Sequence, residues 1–195
     1  GPEMGTLLPL IGKAATEQRL AAASSAVNTA WDLSMEYPPM AHANAETLTR
    51  FYQAFQRLDA ETMAACYAPN VVFSDPAFPA LHGAEAADMW RMLTSRAQDF
   101  SLDFEGVEAD DHQGRVRWTA RYLFSKTGRQ VVNVIDAQFT FENGLIVTHR
   151  DQFDLWRWSH QALGLKGLLL GWSPLVRGAI RRQAAASLAY YRASR

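Results

Sequence analysis

Two carboxylates occur in apolar stretches of the sequence, where an ionised group is costly. Asp75 follows Val71 and Phe73 and precedes Pro76, and on a period of two it shares the face of those apolar residues. An inward carboxylate has its charged form destabilised by burial, which raises its pKa toward the range that suits a general base. An aspartate at the end of a strand also accepts backbone N–H groups of the following turn, so a structural role is the alternative.

The second carboxylate, Asp136, lies in the mostly apolar stretch 131–139. A carboxylate in such a strand must be hydrogen-bonded or protonated. Strict alternation places Asp136 on the face opposite Phe139, a clearer core residue. An inward Asp136 therefore requires one extra residue, a β-bulge near Ala137 and Gln138. A structural hydrogen bond or an outward position is the alternative.

The last predicted strand offers two further candidates. His149 and Asp151 share one face of this strand with Phe153. If that face is the concave one, both side chains enter the interior near Asp75. A histidine beside carboxylates can act as an acid or a base near neutral pH. A hydrogen-bonded core histidine is the alternative.

The composition excludes several classes of function. The chain has 195 residues, a net charge of −1 and 48% hydrophobic residues, typical of a globular domain. The charge disfavours a protein held on nucleic acid by phosphate contacts, and no apolar run reaches the roughly 18–20 residues that span a bilayer. Cys66 is the only cysteine, and the histidines lack metal-ligand spacing. We therefore expect no metal and no cofactor, and a cytoplasmic location fits the single cysteine.

The hydrophobic periodicity predicts helices followed by an antiparallel meander. Apolar residues recur at three- and four-residue steps over 45–57, whereas apolar and basic residues alternate over 116–125. Asn143-Gly144 is a strong signal for a hairpin turn. The predicted helices are 45–57, 60–67 and 83–97, and the predicted strands are 71–75, 100–105, 116–125, 130–141 and 145–153.

This order of elements predicts an α+β fold, in which a curved antiparallel sheet carries helices on one face. We assign residues 44–154 to this domain. Residues 1–43 form an N-terminal extension that begins with Gly1-Pro2, which resembles a tag remnant, and contains a predicted helix over 16–35; no secretory signal is predicted. Residues 155–195 form a basic, helical C-terminal extension.

The C-terminal extension has an unusual charge balance. Residues 155–195 contain no Asp or Glu and seven Lys or Arg. One interpretation is a helical layer that docks on an acidic face of the domain. The other is an interfacial segment for peripheral contact with anionic lipid, with Trp156, Trp158 and Trp172 at the headgroup level.

Three segments of the predicted domain carry a resemblance to a known superfamily: FYQAF at 51–55, YAPNVVFSDP at 67–76 and VNVID at 132–136. They resemble the nuclear-transport-factor-2-like superfamily, which includes ketosteroid isomerase, the SnoaL-like polyketide cyclases, limonene epoxide hydrolase and scytalone dehydratase. The resemblance covers residues 44–154 and implies a cone with an apolar pocket. It implies no single activity, because the fold hosts isomerases, lyases, hydrolases and non-catalytic binders.

The resemblance also implies roles for the two aspartates. In ketosteroid isomerase, the aspartate that matches Asp75 is the general base. The aspartate that matches Asp136 is kept protonated so that it can donate a hydrogen bond to an oxyanion. The oxyanion-donating tyrosine of that enzyme falls on Phe51 here, and Tyr52 lies one position further around the helix. This departure argues against steroid isomerisation itself.

The leading interpretation is a cofactor-independent enzyme that moves a proton next to a carbonyl of a small hydrophobic molecule, of the isomerase, cyclase or dehydratase type. One alternative is a non-catalytic binder of lipid or small apolar ligands. Another is an epoxide-hydrolase-like activity, because Asp151, Arg150 and Asp75 resemble the Asp-Arg-Asp set of limonene epoxide hydrolase, although alternation places Arg150 opposite Asp151. The candidate catalytic residues are Asp75, Asp136, His149 and Asp151, and the candidate substrate-binding residues are Phe51, Tyr52, Phe73, Phe78, Trp90, Trp118, Tyr122 and Phe153.

The outer face of the sheet predicts self-association. Arg117, Thr119 and Arg121 lie on the face of their strand away from the pocket, and the next strand offers apolar residues on both faces. A sheet that is apolar on both sides needs a cover, so we expect a homodimer there. A small hydrophobic molecule is the other expected partner.

Overall fold

The computed structural model of the protein describes residues 41–195. The helix predicted over 16–35 and most of the N-terminal extension lie outside the described residues. The described helices are α1 (Ala43–Gln56), α2 (Ala60–Ala65), α3 (Ala84–Arg96), α4 (Leu155–Leu163), α5 (Leu165–Leu170) and α6 (Pro174–Ala193). The described strands are β1 (Tyr67–Ser74), β2 (Leu81–His82), β3 (Ser101–Ala109), β4 (Gln113–Phe124), β5 (Arg129–Glu142) and β6 (Leu145–Gln152).

The six strands form one curved, unclosed sheet in the order β2-β1-β6-β5-β4-β3. Strands β3 to β6 form the predicted antiparallel meander, and β1 joins it by pairing in parallel with β6. Helix α1 packs against β3 and β4, so the predicted α+β fold is confirmed. The β5–β6 turn has positive φ angles of 51° at Asn143 and 76° at Gly144, the conformation that an Asn-Gly hairpin turn favours.

Strand β5 alternates strictly between the two faces of the sheet. Ile135, Ala137 and Phe139 are buried on the inner face, and Asp136 is exposed on the outer face. The Arg117 guanidinium donates to the Asp136 carboxylate at 2.8 Å across the β4–β5 pair. The β4–β5 register runs without a break, and the irregularity lies between Thr140 and Phe141 instead. The prediction of an inward Asp136 beside a bulge near residues 137–138 is therefore wrong, because the ion pair satisfies this carboxylate outside.

Strand β1 begins earlier than predicted. Helix α2 ends at Ala65, and Tyr67, predicted at the end of that helix, is already a strand residue. The register of β1 against β6 shifts between Tyr67 and Val72, around Pro69. This irregular start tolerates a proline, which has no N–H for a regular ladder. Asp59 caps α2, because its side chain accepts from the Thr62 N–H.

Helices α4 and α5 pack against each other at very short range. A Cβ at Gly167 would overlap the Ser159 carbonyl oxygen, so this crossing requires glycine. Helix α4 also covers an unpaired part of β5, since the Gln161 side chain bonds both the N–H and the C=O of Val132, at 2.8 and 3.0 Å. This part of β5 lies before the residues that pair with β6, and a free strand edge covered in this way is protected from pairing with another chain.

Helix α6 begins with Ser173 as its cap and Pro174 in its first turn. It runs along α3, where Arg192 donates to Asp88 at 3.0 Å and Arg195 pairs with the same carboxylate. The basic extension thus meets an acidic position of α3. Every helix within residues 41–195 is too short or too polar to cross a membrane.

Candidate active site

Asp75 directly follows β1, and its carboxylate is fixed by the turn that comes next. The backbone N–H groups of Ala77 and Phe78 donate to Oδ1 at 2.7 and 2.6 Å, and the Asp75 N–H donates to the Phe78 carbonyl at 2.8 Å. The structural role considered for Asp75 is therefore present. Among residues 41–195, no group donates to Oδ2, so one oxygen of the carboxylate remains available.

The pKa of Asp75 is raised from 3.8 to about 7. Burial is the largest cause, because it destabilises the charged form. The two backbone N–H bonds oppose the rise, and the nearby charge of Asp151 adds to it. The carboxyl group is thus both ionised and protonated in substantial fractions near neutral pH, which suits a group that accepts and returns a proton.

A second buried group of polar side chains spans β1, α3, β4 and β6. The Trp90 indole N–H donates to the Tyr67 hydroxyl at 2.8 Å, and this hydroxyl lies 2.7 Å from His149 Nδ1. His149 Nε2 lies 2.8 Å from Asp151 Oδ1, which also accepts from the Trp118 indole at 3.4 Å. All five residues are buried. A connected chain of hydrogen bonds therefore runs from Trp90 through the interior to Asp151.

The donors and acceptors of this chain fix the histidine tautomer. An indole N–H can only donate, so the Tyr67 oxygen accepts from Trp90 and its own proton goes to His149 Nδ1. On the other side of the ring, Nε2 donates to Asp151, because a carboxylate oxygen accepts. Burial also raises the pKa of Tyr67 well above its usual value of 10, so its hydroxyl stays protonated and able to donate.

His149 itself is enclosed by aromatic rings. The ring of Phe139 lies 4.3 Å away, that of Phe73 5.0 Å away, and Trp90 stacks on the imidazole at 6.0 Å. The residue is 0% exposed, and both nitrogens have protein partners. The structure thus matches the core-histidine alternative, in which His149 orients Asp151 and does not itself reach a substrate.

Tyr52 carries a buried polar atom without a partner. Its ring stacks on Phe104 at 5.5 Å and lies 5.9 Å from Trp118, and its hydroxyl has no hydrogen-bond partner among the described residues. Burial, followed by the charge of Asp151, raises its pKa well above 10. An unpaired buried hydroxyl costs about 1–3 kcal/mol, which a bound acceptor would recover.

The other predicted lining residues face the same interior as these groups. Phe51, Phe73, Phe78, Trp90 and Trp118 are buried, and Tyr122 and Phe153 are half-buried. Tyr122 lies close enough to Asp75 for the charge of that carboxylate to raise its pKa, although burial is the larger cause. Its hydroxyl accepts from the Trp158 indole of α4 at 2.7 Å. The C-terminal extension therefore reaches the Asp75 end of the interior.

A family model described as a SnoaL-like domain matches residues 48–149. The chain belongs to the SnoaL-like domain family. No curated protein matches it. Among solved structures, an NTF2-like protein of unknown function from Burkholderia pseudomallei is 25% identical, with a TM-score of 0.52, over 58% of this chain and 92% of its own.

Two further structures show the same fold. An LEH-like epoxide hydrolase from M. tuberculosis is 23% identical, with a TM-score of 0.53, over 71% of this chain and 98% of its own. A protein with a ketosteroid isomerase-like fold from Catenulispora acidiphila, in complex with trimethylamine, is 10% identical, with a TM-score of 0.54, over 60% and 92% of the two chains. At these identities the likeness concerns the fold, and the SnoaL-like domain hosts several chemistries.

Two predicted arrangements of catalytic side chains, the Asp-Arg-Asp set and the inward pair of Asp75 and Asp136, are not formed in this SnoaL-like domain. Arg150 is exposed on the outer face of β6, opposite Asp151, and no arginine within residues 41–195 bonds Asp75 or Asp151. The Asp-Arg-Asp set is therefore not formed with Arg150. Asp136 is likewise outside, so it cannot donate to an oxyanion in the interior.

The described residues contain no group of histidine, cysteine or carboxylate side chains that could hold a metal ion. A groove of about 720 Å³ opens on the outer side of the sheet, and its lining includes Glu108, Arg115 and Arg150. Asp75 and Asp151 do not line this groove.

Sequence reasoning missed Tyr67, which connects Trp90 to His149. Its contact with His149 joins positions 82 residues apart, through the parallel β1–β6 pair. One signal in the sequence indicated its position: Tyr67 lies an even number of residues before Val71 and Phe73, so it shares their face in a strand of period two. Pro69 breaks that pattern, which is why the strand was predicted to begin later.

Proposed function

We propose that this SnoaL-like protein is an enzyme that transfers a proton next to a carbonyl of a small hydrophobic molecule, with Asp75 as the base. The observation that carries the proposal is the environment of Asp75. Its Oδ1 is held by two backbone N–H groups, its Oδ2 receives no hydrogen bond from residues 41–195, and its pKa is about 7. A base of this pKa matches the working pH of most enzymes.

In the proposed step, Asp75 Oδ2 removes a proton from the carbon next to the substrate carbonyl. The electron pair of the broken C–H bond moves into the carbonyl, which becomes an enolate, and the protonated Asp75 returns the proton to the same or another carbon. The Tyr52 hydroxyl, with no partner among the described residues, is the proposed donor to the enolate oxygen. It takes the place that the resemblance gave to Asp136.

Asp151 and His149 have a supporting role in this proposal. Asp151 Oδ1 is held by His149 and Trp118, so its charge lies at a fixed position in the interior. Burial raises the pKa of both Asp75 and Tyr52, and the charge of Asp151 adds to the rise. His149 is a positioning residue, because it acts through Asp151.

The test is exchange of substrate protons with solvent deuterium, followed by NMR on a panel of small enones and β-keto compounds. We expect exchange by wild type and a loss of about 100-fold or more in Asp75→Asn, because a general base contributes about that much. Tyr52→Phe should lose about 10- to 1,000-fold. Asp136→Asn is the matched control, since the same change on the outer face leaves the interior intact. Full activity in Asp75→Asn would refute the proposal.

A second candidate function is non-catalytic binding of a small apolar ligand. It is favoured by the dense aromatic interior, in which Phe51, Phe73 and Trp90 are buried and in edge-to-face contact. A binder predicts that Asp75→Asn retains ligand affinity and that no panel compound exchanges. An apolar fluorescent probe, titrated into wild type and Asp75→Asn, separates the two functions.

A further inference from the structure

The C-terminal extension exposes apolar side chains that nothing within residues 41–195 covers. Leu165 is 73% exposed, Leu169 64%, Trp172 66% and Leu175 82%. We call Leu165, Leu169, Leu170, Trp172 and Leu175 the apolar tip. Single exposed leucines are ordinary on protein surfaces, but five large apolar side chains within eleven residues are typical of an interaction surface.

The local structure holds the apolar tip in this exposed arrangement. Leu165 and Leu169 are four residues apart on α5, so they lie on the same side of that helix. The Trp172 indole N–H donates to the Leu169 carbonyl at 2.8 Å, which satisfies its polar atom and leaves its ring exposed. The close contact of Gly167 with Ser159 fixes α5 against α4.

The charged side chains of the C-terminal extension are all basic. Residues 155–195 contain seven Lys or Arg and no Asp or Glu. Arg192 and Arg195 pair with Asp88 of α3, and Arg181 donates to the Pro76 carbonyl at 3.0 Å. By contrast, none of the ion pairs found within residues 41–195 involves Arg157, Lys166 or Arg182. Lys166 directly follows Leu165 on α5, so this cation lies on the same short helix as the exposed leucines.

We propose that the apolar tip is a docking surface for an anionic lipid bilayer, into whose interface Leu165, Leu169 and Trp172 insert. Apolar side chains gain by entering the acyl boundary, tryptophan favours the headgroup level, and nearby cations are attracted to anionic headgroups. A second copy of the chain fits less well, because two tips in contact would bring like charges together. The extension lies on the surface of the bilayer and does not cross it.

Docking of this kind would place the Asp75 end of the interior beside the bilayer. The same extension contacts that end twice, through Arg181 to the Pro76 carbonyl and through Trp158 to the Tyr122 hydroxyl. If the proposed function holds, which this step requires, the substrate is an apolar molecule that partitions into membranes. The docking surface itself does not depend on catalysis.

The test is sedimentation of the full-length protein with vesicles of phosphatidylcholine alone or of phosphatidylcholine with phosphatidylserine. We expect partitioning onto the anionic vesicles that weakens as salt rises. Leu169→Glu should lower the partition coefficient by about tenfold or more, and Lys166→Glu by a similar factor. Tyr190→Ser is the matched control, because Tyr190 is 71% exposed but lies near the other end of α6, and it should bind as wild type does.

Each other outcome overturns the proposal. Light scattering that shows self-association lost in Leu169→Glu, without vesicle binding, would assign the tip to a second copy of the chain. If wild type does not bind vesicles and Leu169→Glu leaves its oligomeric state unchanged, acrylamide quenching compared between wild type and Trp172→Phe shows whether the Trp172 ring is shielded. A shielded ring would assign the tip to another segment of the chain, and an accessible one would leave the surface without a lipid role. Circular dichroism of the variants excludes misfolding as the cause.

Discussion

Replacing Asp75 by asparagine should stabilise the protein at alkaline pH relative to acidic pH. In the unfolded chain this carboxyl ionises near its ordinary value of 3.8, whereas in the folded protein its pKa is about 7. Between those values the folded state holds one proton more, so the free energy of unfolding of the wild type falls as the pH rises. Asparagine does not titrate, and its Oδ1 can still accept from the N–H groups of Ala77 and Phe78.

The size of the effect follows from the two pKa values of Asp75. From 3.8 to about 7 is about three pKa units, and each is worth about 1.4 kcal/mol. The ionisation penalty in the wild type therefore builds up from about pH 4 and reaches about 4 kcal/mol above pH 7. Differences in unfolding free energy between the aspartate and asparagine proteins that do not depend on pH cancel, because each protein is compared with itself at two pH values.

The assay is urea unfolding of wild type and Asp75→Asn at several pH values between about 4 and 8. The difference in unfolding free energy between the two proteins should shift by about 4 kcal/mol in favour of Asp75→Asn across that range. Asp136→Asn is the control, because Asp136 and its partner Arg117 are both exposed and this variant should follow the wild type. Parallel curves for wild type and Asp75→Asn would refute the reasoning about Asp75.

Three further predictions concern packing and assembly. Gly167→Ala should lower the free energy of unfolding by about 1–3 kcal/mol in urea, because its Cβ would overlap the Ser159 carbonyl. Tyr67→Phe should cost about 1–3 kcal/mol in the same assay, since it leaves the Trp90 indole unpaired, and an unchanged midpoint would contradict the hydrogen-bond chain. The outer sheet face exposes Val134 at 49%, so light scattering should show a dimer that Val134→Glu converts to a monomer near 21.8 kDa.

The parts of the fold that local patterns encode could be predicted from the sequence. Alternation along β4 and β5 placed Trp118 and Phe139 inward, and Asn143-Gly144 marked the hairpin, because both signals depend on residues close together in the chain. The same alternation gave the correct side for Asp136. The prediction failed where the family resemblance was allowed to override that pattern by inserting a bulge.

The parts that depend on distant contacts could not be predicted. Which strand pairs with β1 decides that the Tyr67 hydroxyl meets His149, and no feature near either residue encodes that pairing. The ion pair of Asp136 with Arg117 could not be predicted either, since it depends on the β4–β5 register. The backbone hydrogen bonds of Asp75 could be predicted, because the residues that donate them lie two and three positions further along the chain.

The interior holds two carboxylates, Asp75 and Asp151, whose hydrogen-bond partners differ. Asp151 accepts from an imidazole and an indole, both on side chains that are themselves buried and held. Within residues 41–195, Asp75 accepts from two backbone N–H groups, both on one oxygen, and from no side chain. Burial is the largest cause of the raised pKa of Asp75, and the nearby charge of Asp151 adds to it. In the proposed function, Asp75 is therefore the carboxylate that exchanges a proton with the substrate, because its Oδ2 receives no hydrogen bond from residues 41–195.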